Sequence, residues 1–357
     1  MLLPPFHISR LSVSLQPPSP MSIKIREATH AGAWYTNNPA KLSTQIDGWV
    51  NEASKAGVTC VDKCRVVIAP HAGLSFSGRT AAYAYAAANL SQYKRIIMLG
   101  PSHHVYLTTC ALSPFHAYDT PLGELRVDSQ VNDDLARSKA FTRMSRTVDE
   151  DEHSFEMHMP FIKKAAKEWV FGSYCPLSDK QRPSHDIKVV PILVGNLSQE
   201  QEEDFGRYLS KYIKDPETLF AISSDFSHWG SRFRYTYYRP SPQAEGRRLG
   251  KTDSVGGSEG EALIHESIAG LDHEAWDILR HALSNPHQTH TKWTDYLRKT
   301  GNTICGRHAF GVLLGALHHA NLQYKGEVDW THYSQSSKVT TSPADSSVSY
   351  SAGYMAF

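Results

Sequence analysis

The sequence predicts an α/β fold with a central mixed, largely parallel sheet flanked by helices. Two stretches carry that prediction, because in each a short apolar run, a helical segment and a second apolar run follow one another. A third observation agrees with them. The chain has 357 residues, 40% of them hydrophobic, which is enough to bury a large core.

The first stretch opens with RVVIAP at 65–70, continues through the alanine-rich TAAYAYAAANL from Thr80, and closes with RIIMLGP at 95–101. The second runs from KVVPILVG at 188–195 through the amphipathic SQEQEEDFGRYLSKYI from Ser198 to TLFAISSDF at 218–226. Helical patterns follow in GEALIHESIAGL, AWDILRHAL and RHAFGVLLGALHHA. The alternating SVSYSAGYMAF then closes the chain as a strand, so that both ends of the fold share one sheet.

Residues 1–20 are rich in proline and lack acids, and they read as a disordered N-terminal tail. Met21 opens the patterned region, which leaves Met1 and Met21 both open as translation starts. Residues 21–357 form one domain, with a Gly- and Ser-rich surface insertion loop at about 240–261.

Lys and Arg number 37 against 36 acids, so the chain has no net field to recruit nucleic acid or an anionic membrane. Five cysteines, odd in number and preceded by no apolar signal segment, point to a reducing compartment. The expected location is cytoplasmic, with the nucleus also open. Cys60 and Cys64 have no matching pair elsewhere and do not make a zinc site.

Side chains just beyond the carboxyl ends of strands line the ligand crevice of an open α/β sheet. Three polar clusters stand there: Pro70-His71-Ala72-Gly73, Gly100-Pro101-Ser102-His103-His104, and Ser223-Ser224-Asp225-Phe226-Ser227-His228-Trp229. Neutral imidazole is the commonest metal ligand at physiological pH, and small neighbours permit close approach. On pattern alone, three independently capped turns remain open as a reading.

A fourth cluster, Asn302-Thr303-Ile304-Cys305-Gly306-Arg307-His308, precedes an apolar helix. A cysteine there has its thiolate favoured by the helix dipole and becomes a soft ligand; a small buried apolar residue is the alternative. In the acidic run DEDEHSFEMHMP from Asp149, most carboxylates are dipole partners of a helix. His153 and Glu156, three apart, share a helical face, and one of them is expected beside the pocket.

The motifs HAGAWYT, IAPHAGLSFSG, LGPSHHVYL, DEDEHSFEMHMP, SSDFSHWGSRFRY, NTICGRHAFGVLL and SSVSYSAG, in this order, closely resemble the Memo family, named as mediators of ErbB2-driven cell motility. The resemblance implies a fold like that of the class III non-haem iron extradiol dioxygenases. It places His71 and His103 at the histidine ligand positions and His228, with Asp225 beside it, at the acid/base position. Cys305 stands where the dioxygenases keep a carboxylate, a softer donor set that suits copper as well as iron. His104, His153, Glu156 and Arg307 fall around the same pocket.

Three functions follow from the resemblance. The leading one is an intracellular metal-binding protein, holding iron or copper through His71, His103 and Cys305 and acting in redox or metal homeostasis. The second is an oxygenase acting on a small aromatic substrate, with His228 as acid and base. The third is a signalling adaptor that takes a peptide or phosphopeptide, with Arg232 and Arg234 as candidate anion partners.

Overall fold

The computed structural model of the chain describes residues 23–168, 186–256 and 259–357. The expected disordered tail at 1–20 lies outside them, as do residues 257 and 258 of the expected insertion loop. Strand β1 (Ile25–Arg26) comes first, followed by helix α1 (Pro39–Lys55). Asn38 caps α1 by accepting the Lys41 N–H at 2.9 Å, and Pro39 starts the helix with its φ already set. Leu42, Ile46, Val50 and Ala53 recur at helical spacing and form its buried face.

Strand β2 (Cys64–Ala69), helix α2 (Leu74–Ala86) and strand β3 (Arg95–Pro101) form the first β-α-β unit. The middle of the chain holds β4 (Cys110–Leu112), β5 (Ala117–Tyr118), β6 (Leu125–Arg126), α3 (Ser129–Arg137) and β7 (Thr142–Arg143). Three short helices follow: α4 (Arg146–Asp151), α5 (His153–Glu156) and α6 (Met159–Glu168). The second β-α-β unit is β8 (Lys188–Val194), α7 (Gln199–Ile213) and β9 (Thr218–Ser223), and it runs on into β10 (Asp225–Gly230).

A small hairpin pairs β11 (Tyr237–Tyr238) with β12 (Arg247–Arg248). Helices α8 (Ile264–Leu279), α9 (Pro286–Thr300) and α10 (Arg307–Ala320) precede the final strands β13 (Glu327–Gln335) and β14 (Ser346–Ala356). Within the expected insertion loop, β12 is paired. Leu249 and Val255 are buried beside Trp229, Tyr238 and Ile268, so apolar contacts pin much of this segment to the body.

Nine strands form the main sheet, in the order β10-β14-β2-β9-β3-β8-β4-β7, with β13 paired to β14. Its centre, β2-β9-β3-β8, is parallel, and β14 joins it antiparallel beside β2. Side chains alternate between the two faces. Val67 of β2 and Ile96 and Met98 of β3 enter one core with α1 and α2, while Val66, Ile68, Ile97 and Leu99 enter the other with α7 and α10. Both faces are covered, which is why these strands are apolar at nearly every position.

The parallel centre positions the site. Strands β2, β9 and β3 are neighbours running in one direction, so the residues after Ala69, Ser223 and Pro101 emerge together at one edge of the sheet.

Candidate metal centre

His71 follows β2 and is buried. Its backbone N–H donates to Asp225 Oδ1 at 2.8 Å, its Nδ1 meets Ser223 Oγ at 2.6 Å, and its Nε2 meets Cys305 Sγ at 3.2 Å. Burial, reinforced by the neighbouring His103, His153, His158 and His228, holds its pKa well below the ordinary histidine value. The ring is neutral at physiological pH, the form that ligates metals.

His103 follows β3 and is held by one carboxylate. Its backbone N–H donates to Glu152 Oε2 and its Nδ1 to Glu152 Oε1, both at 2.8 Å. An ionised carboxylate only accepts, so Nδ1 of the ring carries a proton. Burial alone would raise the Glu152 pKa; the hydrogen bonds and charge of His103 overturn it and pull it to about 2. Glu152 also caps α5 by accepting the Ser154 N–H at 2.9 Å.

That cap places His153, the first residue of α5, against His103, with ring centroids 4.2 Å apart and nearly parallel. Gly100 allows the approach, because a Cβ there would stand 2.8 Å from both Phe155 and Ser154. The ligand nitrogens of His71, His103 and His153 all lie within 4.8 Å of one another, and no other such group of three occurs among the described residues. Burial and His103 bring the His153 pKa to about 3. Its Nδ1 is buried without a hydrogen bond, 3.6 Å from Glu152 Oε1.

Cys305 stands outside that group of three and touches His71. Its Sγ accepts the Asp225 N–H at 3.1 Å. Gly306 lets this turn press on the end of β9, since a Cβ there would meet Ser224 at 2.5 Å. The dipole of α10 does not set the state of the thiol. Burial and the adjacent Asp225 push its pKa up, so the resting group is the thiol and a metal is needed to hold the thiolate.

A cavity of about 450 Å³ opens over these rings, lined among others by Trp34, Phe76, Asp225, His228, Arg232 and Phe233. Three clustered imidazoles with a thiol beside them fit a borderline or soft transition metal. His228 Nδ1 lies 3.0 Å from Phe226 O and 3.2 Å from Thr303 O; carbonyls only accept, so Nδ1 carries the proton and Nε2 is free. Burial drives the Asp225 carboxyl upward, opposed by His228 and by the His71 N–H.

A family described as Memo-like protein matches residues 26–354. The chain belongs to the Memo family. Protein MEMO1 of Xenopus tropicalis is 43% identical over 331 residues, covering 92% of this chain and 96% of its own. Protein MEMO1 of Homo sapiens is 40% identical over the same length and coverage. The Protein memo-1 homolog of Caenorhabditis elegans is 36% identical over 332 residues, covering 92% of this chain and 82% of its own. An uncharacterized protein JW3007 from Escherichia coli K12 aligns with a TM-score of 0.42 and 12% identity, over 80% of this chain and 99% of that one.

In this Memo chain the residues singled out from sequence are not all in one place. His71, His103, His153, Asp225 and His228 line the cavity, whereas His104 is exposed, its ring 6.0 Å from that of His153. Glu156 faces the other way and accepts from Arg26 at 2.7 Å and from Tyr35 at 2.8 Å, with His30 Nδ1 at 2.8 Å. Arg307 lines a second cavity, of about 280 Å³, which shares Cys305 as a wall. Arg232 lies over Phe233 at 4.7 Å, and Arg234 adopts the left-handed conformation after it. The contacts of Glu152 with the His103 ring, of Ser223 with the His71 ring and of His158 with Ser223 emerge only from the structure. The spacing of Ser154-to-Glu152 capping signals a helix start, but nothing local announces that the cap also grips His103.

Among the described residues no helix is long and apolar enough to cross a membrane.

Proposed function

We propose that the chain is an intracellular metal-binding protein that holds iron or copper through His71 and His103, with Cys305 and His153 as the remaining protein donors. The observation that carries this reading is the set of three imidazoles whose ligand nitrogens lie within 4.8 Å of one another. A redox or metal-homeostasis role follows from the donor chemistry. Imidazole suits iron and copper alike, and an adjacent thiolate favours copper(I). When bound, either ion supplies one-electron chemistry; the chain's own residues orient the imidazoles, keep His71 and His153 neutral and exclude bulk water from His71. Elemental analysis of protein purified without chelators tests the assignment. Iron or copper is expected in the parent and absent from the His71→Ala, His103→Ala, Cys305→Ala triple variant; equal metal in both overturns it.

One feature favours a second reading, an oxygenase acting on a small aromatic substrate. His228 presents a free Nε2 to a cavity rimmed by Trp34, Phe76 and Phe233, the placement a general base needs. With Fe(II) and a panel of catechols, this reading expects oxygen uptake that is lost in His228→Ala while metal is retained. No uptake by the metal-loaded parent overturns it.

A further inference from the structure

The buried hydroxyl of Ser223, the last residue of β9, has three partners at hydrogen-bond distance. They are the Ser154 carbonyl oxygen at 2.6 Å, His71 Nδ1 at 2.6 Å and His158 Nε2 at 2.9 Å. A serine hydroxyl has one proton to give and two lone pairs to fill. The Ser154 carbonyl can only accept, so the proton goes there. Both lone pairs then face ring nitrogens, and each of those nitrogens must be the donor. His71 is thereby fixed with its proton on Nδ1 and His158 with its proton on Nε2.

The far side of His158 agrees. Its Nδ1 lies 2.8 Å from the Tyr85 hydroxyl, which donates to it. Tyr85 and His158 are both buried, so on this side the chain of bonds ends inside the protein. Every donor in it has one acceptor, and reversing any single bond would leave a buried carbonyl or ring nitrogen unpaired.

We propose that Ser223 is a positioning residue that locks His71 as its Nδ1–H tautomer, with His158 and Tyr85 bracing it from behind, so that the Nε2 lone pair faces Cys305 and the cavity. The assignment rests on hydrogen bonding alone; only its consequence for affinity rests on the metal-binding reading. It also accounts for a hydroxyl residue at the end of a strand whose preceding positions are mostly apolar.

Long-range proton–nitrogen correlation spectra of the metal-free, full-length chain test it. His71 is expected to show a protonated Nδ1 and an unprotonated Nε2, and His158 the opposite pattern. A His71 ring protonated at Nε2 overturns the proposal, whatever the metal result. Cobalt(II) titration followed by its visible spectrum reads the consequence: Ser223→Ala is expected to bind about 10- to 100-fold more weakly, and Ser223→Thr to recover most of the loss. Unchanged cobalt affinity in a folded Ser223→Ala variant also overturns the positioning role. If the parent binds no cobalt, the metal-binding reading fails and the spectra still decide the tautomer.

Discussion

A single carboxylate, that of Glu152, holds His103 at two points, accepting from its backbone N–H and from its ring Nδ1, each at 2.8 Å. The same group caps the helix that begins with His153. One residue therefore fixes the orientation of two of the three clustered imidazoles. Glu152→Gln keeps the shape and replaces one acceptor oxygen with an amide donor, which opposes either the backbone N–H or the ring N–H. Affinity for cobalt(II) is expected to fall about 10- to 100-fold with the fold intact by circular dichroism. An unchanged affinity would show that the His103 ring needs no such anchor.

Cys305 and His153 differ in softness, and their replacements are expected to differ in kind. Cys305→Ser removes the soft donor and should weaken copper(I) binding more than iron(II) binding, measured by competition with chelators of known affinity. His153→Ala removes a borderline nitrogen and should weaken both. Unchanged affinity for both metals in Cys305→Ser would place the thiol outside the donor set.

The metal-free protein is expected to lose stability on mild acidification. His153 and His158 are held at about 3 in the folded state against an ordinary 6.5, and His71 is shifted in the same direction. The unfolded chain thus binds more protons between those values. Stability is complete above about pH 6.5 and falls as pH drops toward 3, by up to about 1.4 kcal/mol per pH unit for each such histidine. Glu152, at about 2 against 4.5, adds a further loss below pH 4.5. Urea midpoints at pH 7.5, 6.0 and 5.0 should decline steadily, and less steeply in His158→Gln. A flat profile would contradict this.

Behind the site, the fully buried carboxylate of Asp272 joins four elements. It accepts from Ser227 at 2.8 Å, Asn302 at 3.2 Å and Tyr333 at 2.9 Å, and it also bonds Ser349. Burial pushes its pKa up, against the pull of those donors. Asp272→Ala strands several buried donors at once and is expected to cost more than about 2 kcal/mol of stability by chemical denaturation. A loss below about 0.5 kcal/mol would mean that the surrounding segments hold without the knot.

Much of this arrangement is legible in the sequence because its causes are local. The runs at Arg65, Arg95, Lys188 and Thr218 are apolar on both faces and read as buried strands, and the polar residues that follow them mark one edge of the sheet. Other parts depend on distant neighbours. Strand β13 is only partly buried and forms because β14 pairs with it. Strand β10 carries polar residues at Asp225, Ser227 and His228, since these build the site and the Asp272 knot. Helix α2 begins at Leu74, ahead of the alanine run from Thr80, because Leu74, Ser77 and Gly78 of its first turns are buried, Gly78 against Trp49 of α1.

The site follows the same division. His71, His103, Asp225 and His228 announce themselves by standing at strand ends, and Cys305 by its place before a helix. Which carboxylate serves the pocket is not local information. Glu152 and Glu156 lie in one acidic run four residues apart; the buried Arg26 draws Glu156 toward the N-terminal segment at 2.7 Å and leaves Glu152 to His103. Ser223 and His158 become visible only when β9 and the turn after α5 are brought together.

X-ray absorption at the iron and copper edges, on protein purified without chelators, tests the central claim most directly. A metal edge is expected, with a first shell of imidazole nitrogens and one sulfur; the sulfur should vanish in Cys305→Ser and the edge itself in the His71→Ala, His103→Ala double variant. A parent without either edge, or a first shell of oxygen alone, would contradict the assignment of this pocket as a metal centre.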